Sequence, residues 1–262
     1  MSIVTFTSDF GTADGYVGAM KGVVLTAAPG TKLVDITHEV RRHDVAAGAF
    51  ALAQAAPFFP GGSIHVAVVD PGVGTSRAAV LVETENAFFV GPDNGLFALV
   101  APTPRAVYAI TEPGFRRPGE SATFHGRDVF AQTAGRLAQG VPARQAGVRL
   151  EALAPLPEAV GDPHTAPEQA RVIHVDAFGN LITSRPGSRL DFGDWMLTFF
   201  HGPDAPSPPM AVRAARTYGE VGPGELVVYV GSAGLVEIAV RDGSAAERLG
   251  LARGAVLTLV KA

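Results

Sequence analysis

A chain of 262 residues that is 47% hydrophobic and 18% charged can fill one large core or two ordinary ones, and it reads as a soluble globular protein. Its formal net charge is −4, with Lys and Arg scattered rather than clustered, so it carries no footprint for a polyanion and no nucleic-acid partner is expected. The absence of cysteine excludes disulfides, thiolate nucleophiles and Cys-based zinc or iron–sulfur sites, leaving His, Asp and Glu as the only candidate metal ligands.

The first half alternates strand-like and helical runs: a strand at 2–8, a helix near 15–28, a strand at 32–37, a helix near 44–58 and a strand at 63–70. This is α/β syntax. Shorter strands are predicted at 78–84, 87–91, 95–100 and 106–110, and their close spacing implies that part of the sheet is antiparallel. Gly126-Arg127-Asp128 then precedes an apolar pattern at Val129, Phe130, Ala134 and Leu137, which predicts a helix over 126–139. Residues 151–170 are rich in proline and weakly periodic, a linker composition. The expected division is therefore a domain over 1–165 and a second over 166–262. In the latter, short runs at 171–176, 180–184, 194–200, 210–215, 225–231, 235–241 and 255–260 read as a small antiparallel barrel or sandwich, with an exposed loop at Ala205-Pro206-Ser207-Pro208-Pro209. No uncharged apolar span of about 18 residues occurs, and the N-terminus shows no basic region followed by an apolar stretch, so neither a membrane segment nor a signal peptide is predicted and cytoplasmic residence is expected.

Three strand or helix ends carry polar clusters. The apolar run Ile64 to Val69 stops abruptly at Asp70, followed by a glycine-rich turn and Arg77. A strand apolar on both faces belongs inside an α/β sheet, and its C-terminal end opens where such sheets bind ligands. Asp9 ends the first strand in the same manner, and His125 lies within Phe124-His125-Gly126-Arg127-Asp128. Each has an ordinary explanation: Asp9 forms a turn, Asp70 and Arg77 make a structural salt bridge, and His125 is a core imidazole. Together, a carboxylate, a fixed cation and an imidazole would suit the positioning and deprotonation of a water molecule, with Asp9 accepting bonds from a ribose diol. No GxGxxG or P-loop pattern accompanies them, and no His-x-His or His-Glu-x-x-His pattern marks a metal site.

Two clusters fall in the second half. Asp176-Ala177-Phe178-Gly179-Asn180 is either a hairpin turn or a ring flanked by polar groups that stacks a base. Tyr229 to Val240 forms two apolar strands around Gly231-Ser232-Ala233-Gly234, a plain hairpin or a place where a ligand approaches backbone closely.

Taken together and in order, Thr7-Ser8-Asp9-Phe10-Gly11, Val69 to Arg77, Gly91-Pro92-Asp93-Asn94-Gly95, Phe124 to Asp128, Asp176 to Asn180 and Ser232-Ala233-Gly234 resemble the S-adenosyl-L-methionine hydroxide adenosyltransferases, relatives of the fluorinase and chlorinase enzymes. The resemblance covers nearly the whole chain. It implies an N-terminal α/β domain with a mainly parallel central sheet, a C-terminal antiparallel β-barrel, no cofactor, and a homotrimer whose sites lie between the first domain of one subunit and the second domain of the next. It also implies the reaction, in which water or hydroxide attacks C5′ of the ribose in S-adenosyl-L-methionine (SAM) and methionine leaves, giving adenosine.

Residue by residue, the resemblance implies that Asp70, Arg77 and His125 are catalytic and that Asp9 holds the ribose hydroxyls. Asp176 and Ser232 would take the methionine end, Phe178 and Asn180 the adenine, with Phe124, Gly126, Ala233 and Val240 also lining the ligand. The halogenases carry tyrosine where this chain has Asp70, and tyrosine also occurs there at the position of His125, so hydrolysis is favoured over halogenation. His43 stands where the fluorinase has a tryptophan, and Ala233 where it has an arginine. The competing expectations are a non-catalytic adenosine- or SAM-binding module, a SAM-dependent halogenase, and a metal-dependent phosphoesterase built on Asp9, Asp70, Asp93 and His125.

Overall fold

All residues of strand β3 (Ser63–Val68) are buried, as an apolar run paired on both edges requires. In the computed structural model, which describes residues 2–156, 168–200 and 206–262, β3 lies inside the first of two compact units, Met1–Pro157 and Glu158–Ala262. The domain boundary expected at 165/166 falls within 157–167, outside the described residues.

The first unit holds a seven-stranded sheet of β1 (Ile3–Ser8), β2 (Lys32–Thr37), β3, β4 (Ala79–Glu83), β5 (Ala87–Pro92), β6 (Ala106–Ala109) and β7 (Arg149–Leu150), in the order β2-β1-β3-β5-β4-β6-β7. The β2-β1-β3-β5 half is parallel and the remainder antiparallel. Alternation sorts the strand residues onto two cores. Val4, Phe6, Val66 and Val68 face helices α1 (Tyr16–Ala27) and α3 (Gln132–Ala138), meeting Met20, Val24 and Ala134. Ala67, Val69, Val80 and Val82 face α2 (Val45–Ala55) on the other side, with Ala49 and Leu52. Asp44 caps α2 by accepting the Ala47 N–H at 2.9 Å, and Pro57 sits in the short 3₁₀ turn Ala56–Phe58 that follows it.

Two of the elements predicted for this unit take another form. The predicted strand at 95–100 is a series of turns: Asn94 Oδ1 accepts the Leu96 N–H at 3.3 Å, Ala98 N–H bonds to Gly95 O at 3.1 Å, and Ala101 N–H to Phe97 O at 2.9 Å. Its apolar character reflects Leu96 and Phe97 plugging the second core. The predicted helix at 126–139 opens as a π-helical segment, Gly126–Ala131, before becoming α3. Such wide turns are rare and are frequently found at functional sites.

The second unit is a closed barrel of β8 (Gln169–Val175), β9 (Leu181–Pro186), β10 (Gly193–Phe199), β11 (Met210–Ala214), β12 (Leu226–Val230), β13 (Leu235–Val240) and β14 (Val256–Lys261). The order is β10-β11-β12-β13-β9-β8-β14, closing from β14 to β10. All pairs are antiparallel except β11 with β12. Val172, Leu197, Val228, Ile238 and Leu257 fill its interior. Helix α4 (Ala245–Leu249), capped by Ser244 and ended by Gly250, was not predicted. Of the expected 205–209 loop, residue 205 lies outside the described residues, and 206–209 lead into β11. Among the described residues no helix is long and apolar enough to cross a membrane.

Candidate active site

Asp70 follows the C-terminal end of β3, and tight turns bring the chain back on it. Val73 N–H bonds to Asp70 O at 3.3 Å, and Thr75 uses both its N–H and its hydroxyl on Gly72 O, at 3.1 and 2.7 Å. Arg77 is thereby folded over the carboxylate. Its Nε donates to Asp70 Oδ1 at 2.9 Å and Oδ2 at 3.1 Å, and its Nη2 also donates to Oδ2. Nη1 donates to Ala78 O at 3.0 Å, and the guanidinium lies 5.4 Å from the centroid of the Phe130 ring. The side chains are only 10% and 5% exposed for Arg77 and Asp70, so this is a desolvated, two-pronged ion pair with fixed geometry.

The same guanidinium reaches His125, with Nη2 3.0 Å from Nδ1. Arginine only donates, so Nδ1 accepts and the ring proton sits on Nε2. Burial, and then the Arg77 charge, hold the imidazole below its ordinary value, so His125 is neutral. His125 precedes the π-helical segment, whose start is pinned by Asp128: this buried carboxylate accepts the Ser121 N–H at 2.9 Å and two bonds from Arg127 at 2.7 Å each. Those arginine bonds hold Asp128 below the usual carboxylate range.

Asp70 and His125 open onto a cleft of about 330 Å³ that Asp9, Phe124 and Gly126 also line. Asp9 Oδ2 accepts the His43 N–H at 2.8 Å, and Oδ1 has no partner among the described residues. Phe124 belongs to an aromatic trio: its ring centroid is 6.1 Å from that of Phe10 and 5.2 Å from that of Tyr16. Gly126 is a packing position, because a Cβ there would come within 3.2 Å of Met20 Sδ and 3.4 Å of the Phe10 and Phe124 rings. The sequence reading did not single out Phe10, Tyr16 or Arg42 as cleft residues. Among the described residues, no three His, Asp or Glu side chains are grouped as a metal ion requires.

On the second unit, Asp176, Phe178 and Asn180 form one turn. Asp176 Oδ1 accepts the Phe178 and Asn180 N–H groups at 2.9 Å, and Oδ2 accepts from Asn180 Nδ2 at 2.8 Å. Phe178 stands out at 80% exposure. Gly179 takes φ +80° under Ser244, a place for no side chain. Ser232 and Ala233 sit on the exposed β12–β13 turn, at the opposite end of the β9–β13 pairing, in which Leu235 faces Pro186 and Ile238 faces Leu181. Val240 is 8% exposed, its side chain packed into the barrel core. Between the two turns lies a residue that the sequence reading passed over. Glu237 is buried, bonded to Tyr229 and lodged over Gly231; burial raises its carboxyl above the usual range, the nearby Asp176 charge adding to the effect. A lone carboxylate within Leu-Val-Glu-Ile-Ala-Val was the available signal.

Comparison with known proteins gives two family matches: the SAM hydroxide adenosyltransferase N-terminal domain over residues 4–147 and the corresponding C-terminal domain over 170–258. The chain is 44% identical over 256 residues to the (R)-S-adenosyl-L-methionine hydrolase of Salinispora arenicola, covering 96% of this chain and 95% of that one. It is 42% identical over 272 residues to the protein of the same name from Thermus thermophilus, covering 99% and 100%. The crystal structure of an uncharacterized conserved protein from Thermotoga maritima superposes with a TM-score of 0.90 at 32% identity, covering 98% of this chain and all of the other.

Proposed function

The chain belongs to the SAM hydroxide adenosyltransferase family, and on that footing we propose that it is an enzyme hydrolysing SAM to adenosine and L-methionine by attack of water at ribose C5′. The names of the relatives specify (R)-S-adenosyl-L-methionine, and we take the same sulfonium epimer as the substrate here. The observation that carries the reading is the Asp70–Arg77–His125 network opening onto a cleft that also holds Asp9 and three aromatic rings.

A sulfonium leaves without protonation, so the site has only to exclude bulk water, align one oxygen opposite sulfur and remove its proton. His125 Nε2–H donates to that water and Asp70 accepts from it, which directs the remaining lone pair at C5′. As the C5′–O bond forms, the C5′–S pair passes to sulfur. The oxonium left on carbon is strongly acidic and sheds its proton to Asp70 and onward to solvent. Arg77 keeps both partners in place. Asp9 takes the ribose hydroxyls and the Phe10–Tyr16–Phe124 trio shelters the sugar. Asp176 and Ser232 hold the methionine end, with Phe178 and Asn180 on the adenine. In the homotrimer that the family resemblance implies, the first unit of one subunit and the second unit of its neighbour complete the site. Cytoplasmic residence suits a substrate made and used inside the cell.

Chromatography of the protein incubated with separated SAM epimers tests the proposal. Adenosine and methionine in equal amounts, unchanged by a chelator and independent of halide, are expected. Ligand recovered intact would leave a binding module, chelator sensitivity a metal-dependent phosphoesterase, and a halogenated nucleoside a halogenase.

A further inference from the structure

A continuous hydrogen-bonded chain runs behind the cleft without lining it. Ser8 Oγ lies 2.7 Å from His38 Nδ1, His38 Nε2 lies 3.0 Å from Asp35 Oδ1, and Lys21 Nζ donates to Asp35 Oδ2 at 2.6 Å. Ser8 and His38 are buried, whereas Asp35 and Lys21 reach solvent. The polarity of the chain follows from its outer end. The Asp35 carboxylate only accepts, so the Nε2 proton of His38 goes to it; with the ring proton on Nε2, Nδ1 accepts from the Ser8 hydroxyl, whose oxygen in turn accepts the Phe10 N–H at 3.3 Å. Despite its Ser-His-Asp composition this is no nucleophilic triad, because Ser8 is fully buried and no substrate atom can reach its oxygen.

What the chain does is join two backbone segments at the cleft rim. Gly11 N–H donates to His38 O at 2.8 Å, and Val40 N–H to Ser8 O at 3.4 Å. The segment leaving His38 ends at His43, which adopts φ +64°, a left-handed conformation that costs a non-glycine residue about 1–3 kcal/mol and persists only where surroundings over-determine it. There the His43 N–H grips Asp9 Oδ2. We propose that His38 is the positioning residue of the ribose site: by locking residues 38–43 against the end of β1 it turns Asp9 Oδ1 toward the ribose diol. This rests on the reading of Asp9 as the ribose ligand.

Calorimetry of the intact protein with adenosine and with 2′,3′-dideoxyadenosine separates positioning from general damage. Wild-type protein should prefer adenosine by at least about tenfold, as charge-assisted bonds to the diol require. Asp9→Ala should abolish the preference. His38→Phe, and the smaller change Ser8→Ala should His38→Phe fold poorly, should shrink the preference to within about threefold while the dideoxy analogue binds as before. KM for SAM should rise in parallel, with kcat changing less than about threefold. A preference that survives in both variants overturns the positioning role while leaving Asp9 as the ribose ligand. Equal weakening of both nucleosides overturns it in favour of a structural role. A wild-type protein without the preference, or Asp9→Ala protein that keeps it, removes the reading of Asp9 and this proposal with it.

Discussion

Arg77 Nη2 lies 3.0 Å from His125 Nδ1 while the same guanidinium grips Asp70, so one side chain sets the tautomer of the imidazole and the orientation of the carboxylate. His125 must accept at Nδ1, and what it offers the cleft is an N–H. In the proposed reaction that N–H donates to the nucleophilic oxygen, with Asp70 as the proton acceptor.

This division of roles is testable by substitution. Asp70→Ala and His125→Ala should each lower adenosine formation by about 10²–10⁴-fold with ligand affinity within a few-fold, the range for proton handling in catalysis. His125→Gln, which retains an N–H donor, should keep clearly more activity than His125→Ala. Equal loss in both would mean that His125 works as a base. Because burial and Arg77 depress the imidazole, the acid limb of kcat/KM assigned to His125 should fall below the ordinary histidine value, about 6.5.

Stability should fall in mild acid through His65. This residue is fully buried between β1 and β5, stacked on Phe89 at 5.0 Å and bonded to Thr5 at 2.8 Å through Nδ1, and burial pushes its value down to about 4. A depressed histidine contributes stability above its unfolded value and loses it as pH falls toward its folded one, here between about 6.5 and about 4. The loss should amount to roughly 3 kcal/mol. Denaturant melts across that window should flatten in His65→Phe protein. An unchanged slope would assign the acid sensitivity elsewhere.

Glu237 and Gly231 are expected to be energetically coupled. The carboxyl occupies the space that a side chain at Gly231 would need, so Gly231→Ala should destabilise by about 1–3 kcal/mol as an overpacked site. In a Glu237→Ala background the same change should cost much less. Glu237→Gln keeps the shape of the side chain and a polar group facing Tyr229 without burying a charge, and should be tolerated. A thermal double-mutant cycle with no coupling would show that the turn moves aside.

The parts of this site legible in the sequence are those written locally. Asp70 and Arg77 are close in sequence, and an apolar strand stopping at a carboxylate is visible without coordinates. The link from Arg77 to His125 spans 48 positions and depends on how the 116–131 region folds back, which no local pattern encodes. The π-helical start of the segment after His125 keeps the apolar spacing of an ordinary helix, so periodicity could not reveal it. Leu96 and Phe97 misled in the opposite sense: buried side chains on turns look like a strand. His38 follows a short strand and resembles any satisfied core histidine until its partners, Ser8 on one strand and Asp35 on another, are seen together.

The proposed trimer makes a quantitative demand on mixed subunits. If each site takes Asp70 from one subunit and Asp176 from the next, Asp70→Ala and Asp176→Ala proteins should both be inactive alone. Upon subunit exchange at equal concentrations, an interface is intact when its first contributor is the Asp176→Ala chain and its second the Asp70→Ala chain. Random assembly meets both conditions at about one quarter of interfaces, so activity should recover to about a quarter of wild type. A site built within one subunit would give no recovery at any ratio, since every chain then carries a defect in its own site. Light scattering on the same samples closes the test: the proposed trimer requires a species of three chains, and a monomer would overturn the shared site whatever the activity.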